Sequence, residues 1–223
     1  MTAPADAPET PGTVASHRIA DSLRREILGG RLAPGTRVRQ EDLAERFGAS
    51  RIPVREAIRM LHADGLITLV ANSGAWVARL TLEECVELYS IRERLEPLLL
   101  RQSMPQLTPD TIERLDQLAS GMATNTDVDY FLEHDRELHL LSYSGAPHGT
   151  LWDFIHRLWN TTQHYRRAYA TLVGVSGIGV THQEHHLLVD CIRRQDPDDA
   201  ERMLVTHIRR TRLELERHPE LFA

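Results

Sequence analysis

Residues Ser50 to Gly65 read SRIPVREAIRMLHADG, and this stretch decides what the rest of the chain must be. Val54, Ala57, Ile58 and Leu61 recur at i, i+3, i+4 and i+7, the period of a helix with one buried stripe. Arg51, Arg55 and Arg59 recur every fourth residue and form a cationic ridge on another face. Ser50 suits an N-cap, Pro53 fits the first turn, and Gly65 can close the helix. Upstream, Gln40 to Phe47 (QEDLAERF) reads as a short helix and Gly48-Ala49 as a tight turn. Downstream, Leu66 to Val70 and Ala75 to Arg79 read as strands joined by the turn Ala71 to Gly74. An arginine ridge alone is an ordinary solvated face. A short helix and turn before it, and a hairpin after it, make the whole a winged helix-turn-helix.

The run LAERFGASRIPVREAIRMLHADGLI, followed by the Gly-turn hairpin, resembles the DNA-binding domain of GntR-type bacterial transcription regulators. The likeness spans about His17 to Leu80, and SRIPVREA is its most specific part. It implies operator DNA as a partner, with Ser50, Arg51 and Arg55 at the DNA-facing start of the recognition helix and Arg59 further along the ridge. It also places Gln40 at the start of the preceding helix, where a DNA contact is common, and Asn72 and Gly74 in the wing tip.

The chain has 223 residues, long enough for two modest domains with cores of their own. No run of ~18 apolar residues occurs, so no membrane span is expected. Met1 to Val14 lacks a signal-peptide pattern and reads, with Ala15, as a disordered tail. Cys85 and Cys191 have no metal or redox spacing and read as buried thiols of a cytoplasmic protein. All 26 basic residues are arginine, and the net charge is −6. Residues 1–80 carry 11 arginines against 9 acids, whereas residues 81–223 carry 15 against 23. A mildly basic first half on an acidic second half fits a DNA-reading domain joined to something else.

Ser16 reads as the cap of a helix from His17 to about Leu28, ended by Gly29-Gly30, and Arg31 to Arg39 as a turn and extended link. Thr81-Leu82-Glu83-Glu84 is a capping box, which puts a domain boundary at 80/81. The expected organisation is a tail over 1–15, a winged helix-turn-helix over 16–80 and an all-helical unit over 81–223. Six helices are expected in that last unit: about 82–102, 108–119, 128–143, 147–172, 180–194 and 198–217. Val173 to Gly179 reads as a Gly-rich loop. The first of the six has two apolar stripes, Leu88, Ile91, Leu95 and Leu98, and Leu82, Cys85, Val86, Tyr89 and Leu99. Arg92 and Glu96 interrupt the second.

The 128–143 helix carries Asp135 and His139 on its inward stripe at i, i+4, so both side chains can reach one ion. His185 and His207 fall on the inward stripes of the last two helices. Asp with three His suits a divalent ion such as Zn²⁺, Ni²⁺ or Mn²⁺. Taken singly, each has a plainer reading as a hydrogen-bonded core residue. His134, His182 and His186 are turned away from this core by the same stripes, with His182 near enough to support a ligand.

FLEHDRELH and EHHLLVDCIRRQDPDDAERMLVTHI resemble the FCD effector domain of the FadR-type GntR branch. Metal-binding members use an Asp-x3-His pair, a His following a Glu, and a His on the last helix; Asp135/His139, Glu184-His185 and His207 match. Ala146-Pro147-His148 departs from the pattern, since a small polar residue is common there. The likeness implies a homodimer and a small carboxylic acid at the open side of the metal. Arg92 is a candidate clamp for that acid, or else the partner of Glu96 at i, i+4; Arg166 and Arg167 take no assigned role. The expectation is thus a non-enzymatic, ligand-responsive repressor released from its operator by the acid. Two rivals are a regulator for which the metal itself is the signal, and a metal-dependent hydrolase.

Overall fold

The structure, a computed structural model, describes residues 11–222. The chain divides between Arg79 and Leu80 into two compact units. Residues 1–10 of the expected tail lie outside the described residues. The rest of it is helical: α1 spans Pro11–Leu28 rather than starting at His17. Ser16 caps nothing, because it sits inside the helix with Oγ bonded to the Gly12 carbonyl at 2.9 Å. Pro11 is tolerated in a first turn, so the helix can begin five residues before that serine.

In the first unit β1 (Arg37–Val38) precedes α2 (Gln40–Phe47) and α3 (Arg51–Ala63). The hairpin β2 (Ile67–Val70) and β3 (Gly74–Val77) follows. The link expected at Arg31 to Arg39 thus contributes a strand, and the antiparallel sheet has the order β1-β3-β2 with Arg37 opposite Trp76 and Thr68 opposite Trp76. Gly48 ends α2 at φ 58°, a left-handed turn that glycine adopts without steric cost. Ser50 occupies the N-cap position of α3, but its side chain makes no capping bond. The apolar stripe Val54, Ala57, Ile58 and Leu61 packs with Ile19, Leu23, Leu43 and Val77 in this unit's core.

The second unit holds six α-helices among its described residues: α4 (Leu82–Ser103), α5 (Pro109–Thr124), α6 (Val128–Ser142), α7 (Thr150–Gly177), α8 (Gly179–Arg193) and α9 (Pro197–Glu216). The Thr81–Glu84 capping box is complete: Glu84 N donates to Thr81 Oγ1 at 3.2 Å, and Thr81 N to Glu84 Oε2 at 2.8 Å. Thr108, Asp127 and Asp196 cap α5, α6 and α9 with their side chains. α7 begins at Thr150 rather than Pro147, and the Gly-rich loop expected after it is largely helical, interrupted at Gly174 with φ 66° and at Ile178 between α7 and α8. One glycine in a left-handed conformation is enough to redirect a helix without dissolving it. Of the two α4 stripes, the one with Cys85, Tyr89, Arg92, Glu96 and Leu99 is buried, while Leu98 is exposed. Both cysteines are buried free thiols. No described helix is long and apolar enough to cross a membrane.

Candidate functional site

On the first unit, the exposed face of α3 presents Arg51, Arg55 and Arg59 beside Ser50. Arg51 meets only Glu41, at 3.7 Å with both side chains mostly in solvent, and Arg59 meets Glu56 at 3.3 Å. Exposed pairs like these contribute about 0–1 kcal/mol, so both arginines can exchange them for phosphate at little cost. Among the described residues Arg55 has no ion-pair partner. Gln40 is half-buried at the first position of α2. Asn72, at φ 59°, and Gly74 form the exposed hairpin tip, where Arg37 Nη2 donates to the Ser73 carbonyl at 3.2 Å.

In the second unit Asp135, His139, His185 and His207 meet in the core. One ligand atom from each lies within 4.8 Å of the others, and all four residues are buried. α6 supplies two of them through its i, i+4 spacing, and α8 and α9 supply one each. His185 Nε2 is 3.2 Å and His139 Nε2 3.7 Å from Asp135 Oδ1, yet neither ring has a hydrogen-bond partner at either nitrogen. Buried polar atoms are normally satisfied, and two imidazoles without a well-formed hydrogen bond, both close to a carboxylate, fit a divalent ion. Burial keeps His139 neutral, overriding the attraction of Asp135 and aided by the neighbouring imidazoles, so its pKa falls well below the usual value. Burial likewise lowers that of His207. Burial opposes ionisation of Asp135, but the surrounding imidazoles and Arg166 outweigh it and hold the carboxyl far below its ordinary range. Neutral imidazoles and an ionised carboxylate are the protonation states that metal ligation requires.

A cavity of about 40 Å³ adjoins the cluster. Tyr89, Arg92, Asp135, Trp159, Arg166 and His207 are among its walls. Arg92 is buried and ion-paired through Nε with Glu96, and its Nη1 donates to Thr162 Oγ1 at 3.3 Å. Glu96 also accepts from Tyr143 at 2.7 Å and from Trp159 Nε1 at 3.2 Å. The guanidinium carbons of Arg92 and Arg166 lie 4.5 and 3.7 Å from the Trp159 ring centroid, within cation–π range.

Two family profiles cover most of the chain: residues 15–77 match the bacterial regulatory proteins of the gntR family, and residues 87–210 match the FCD domain. The chain belongs to the GntR family and carries an FCD domain. It is 27% identical over 196 residues to the HTH-type transcriptional repressor RspR of Escherichia coli, covering 86% of this chain and 85% of that protein. It is 26% identical over 192 residues to the gluconate operon transcriptional repressor of Bacillus licheniformis, covering 81% and 76%. The solved structure of E. coli McbR/YncC shares the fold with a TM-score of 0.79 at 22% identity, covering 92% of this chain and 98% of that one. This GntR protein is a DNA-binding transcription regulator.

Two residues of the regulator's second unit take roles that the sequence did not assign. Glu184 accepts from His207 Nδ1 at 2.8 Å and from Arg210 Nε at 2.8 Å, and burial raises its pKa less than these partners lower it, to about 2. A carboxylate only accepts, so the proton sits on Nδ1 and Nε2 is left bare for an ion. The signal was there, since Glu184 precedes His185, but the pairing runs between α8 and α9. Arg166, on α7, a helix that carries none of the four clustered residues, is the second. Of the other histidines, His134 stacks on Tyr130 at 3.8 Å, His182 meets the edge of Phe131 at 5.6 Å, and His186 is exposed. Ala146, Pro147 and His148 are not among the residues lining the cavity.

These pKa directions set an acid limit on the metal-free protein. His139 and His207 titrate lower in the fold than their ordinary 6.5, so below that pH protons bind the unfolded chain first. In chelator, stability is expected to be flat from pH 8 to about 6.5 and to fall toward pH 5. Asp135 and Glu184, held low, add a separate loss beginning only below their ordinary 3.8 and 4.5. Melting temperatures at pH 8, 6.5, 6 and 5 check this; an unchanged value at pH 5 would mean that the imidazoles are not buried neutral.

Proposed function

We propose that this regulator is a repressor, acting as a homodimer in the cytoplasm, released from its operator by a small carboxylic acid bound beside a divalent ion in the second unit. The observation that carries the reading is a buried Asp-and-three-His cluster opening on a cavity walled by three arginines, Arg92, Arg166 and Arg210. Asp135, His139, His185 and His207 would hold the ion, whether Zn²⁺, Ni²⁺ or Mn²⁺. When bound, it supplies a positive centre with open positions for a carboxylate oxygen. Arg92 and Arg166 supply further positive charge, and Trp159 and Phe131 keep the site dry. A two-fold protein reading a two-fold operator motivates the dimer.

Transmission has a physical handle at the junction. Leu80, the first residue of the second unit, donates its N–H to Tyr165 Oη at 2.6 Å, and Tyr165 Oη lies 2.9 Å from the Leu80 carbonyl. Tyr165 adjoins Arg166 on α7, so a shift of α7 on acid binding moves the backbone that leads to the DNA-binding unit. For release to follow, the acid must bind the DNA-incompetent state more tightly.

Selecting operator DNA with the purified protein and then titrating small acids into the complex, with and without added metal, tests the proposal. Acid-dependent release that needs metal supports it. Release by metal alone favours the ion as the signal, and retention under every condition removes the release mechanism. On the DNA side, Arg51→Ala and Arg55→Ala are each expected to lose roughly 1–3 kcal/mol of affinity if the guanidinium grips a base edge. A mobility-shift titration at fixed salt measures this. Undiminished affinity in both folded variants would move the DNA contact elsewhere.

A further inference from the structure

The buried charges of the second unit are almost all matched. Arg92 pairs with Glu96, Arg212 with Glu93 at 2.6 Å, and Arg210 with Glu184. Asp135 belongs to the metal cluster. Arg166 is the exception: it is only 8% exposed, and its Nε and Nη1 are buried without a hydrogen-bond partner. Its Nη2 alone is used, on Gln163 Oε1 and, at 3.5 Å, the Trp159 carbonyl. Tyr89 Oη, in the same cavity wall, is likewise buried without a partner. Burial raises the Tyr89 pKa to about 12, so the hydroxyl keeps its proton and is a donor.

Three unpartnered donors therefore surround a cavity that touches a candidate metal ligand, and no acceptor among the described residues serves them. An unmade hydrogen bond to a buried charge is costly, and a guanidinium edge with two adjacent N–H groups matches a carboxylate. Charge agrees. The three matched arginines are cancelled by their carboxylates, and Asp135 cancels Arg166 as long as no ion is present. A divalent ion leaves two positive charges in a buried site, which a monoanion neutralises only by half.

Resting on the small-acid reading above, we propose that the effector is a short dicarboxylate: one carboxylate faces the Asp135–His cluster and the other is received by Arg166 Nε and Nη1 with Tyr89 Oη. Arg166 is then the residue that sets specificity for a dianion over a monoanion. Arg92, with Nε and Nη1 committed to Glu96 and Thr162, forms the wall that fixes Trp159 under the Arg166 guanidinium.

The test is calorimetric titration of full-length, Zn²⁺- or Ni²⁺-loaded protein with malonate, succinate and glutarate, each beside acetate, propionate and butyrate. At least one diacid is expected to bind 10-fold or more tightly than any monoacid. Arg166→Met is expected to weaken that diacid roughly 10- to 100-fold and monoacids by a smaller factor, so that the diacid preference collapses, and Arg166→Lys to retain part of the preference. Tyr89→Phe, which removes one hydroxyl and little volume, is expected to weaken the diacid about 5-fold and spare the monoacids. Metal content and melting temperature of each variant exclude simple unfolding. Equal binding of diacids and monoacids by the wild type, or equal loss of both in Tyr89→Phe, overturns the dicarboxylate assignment and leaves the small-acid reading standing. Binding of no acid by the metal-loaded wild type overturns both.

Discussion

Stripping the protein with chelator is expected to lower the melting temperature of its helical unit by roughly 5–15 °C. An ion present at about 100 to 1,000 times its dissociation constant contributes about 2.7–4.1 kcal/mol, and each kcal/mol is worth about 2–4 °C in a chain of this size. The effect is large because the four ligands come from three helices. Asp135 and His139 lie on α6, His185 on α8 and His207 on α9, so one ion held by all four would crosslink elements otherwise joined by packing. Refilling with Zn²⁺, Ni²⁺ or Mn²⁺ should restore the melt, and elemental analysis of untagged protein should find about one equivalent. His139→Ala and His207→Ala should abolish the response. Glu184→Gln should only weaken metal affinity, by about 10–100-fold, since it removes the carboxylate that orients His207 and not a ligand. Metal-free protein with a melting temperature indifferent to chelator and to added ions would return the cluster to ordinary buried polar residues.

Arg92→Met is expected to cost the helical unit about 3–5 kcal/mol, the usual consequence of stranding one partner of a buried ion pair. Glu96 is wholly buried, and without Arg92 its charge would rest on the Tyr143 and Trp159 donors alone. The urea midpoint should fall by at least about 1 M. The double variant Arg92→Met/Glu96→Gln should recover much of the loss, because it removes the charge as well as its partner. A single variant that unfolds like the wild type but no longer responds to acid would instead make Arg92 the effector clamp. The two readings of Arg92 open in the sequence are thus separated by stability on one side and response on the other.

The sequence alone determined whatever depends on spacing within one helix or turn. The recognition helix with its arginine ridge, the Thr81–Glu84 capping box and the Asp135–His139 pair are all consequences of a 3.6-residue period, and neighbours three and four apart share a face wherever the helix packs. The same rule pointed His185 and His207 inward, though each only on its own helix. Tertiary structure decided what those faces meet. α4 carries two apolar stripes that local pattern cannot rank, and burial fell on the one containing Arg92 and Glu96 because that side faces the core. Glu184 became the orienter of His207 only through the packing of α8 on α9. Ser16, a fit cap by composition, lies inside α1, since capping depends on where the helix starts and not on which residue is available. Arg166 could be given no role for the same reason. A helix of its kind, rich in aromatic and charged residues, does not reveal which cation will be left without a carboxylate; that depends on every other buried charge finding its own partner across the core.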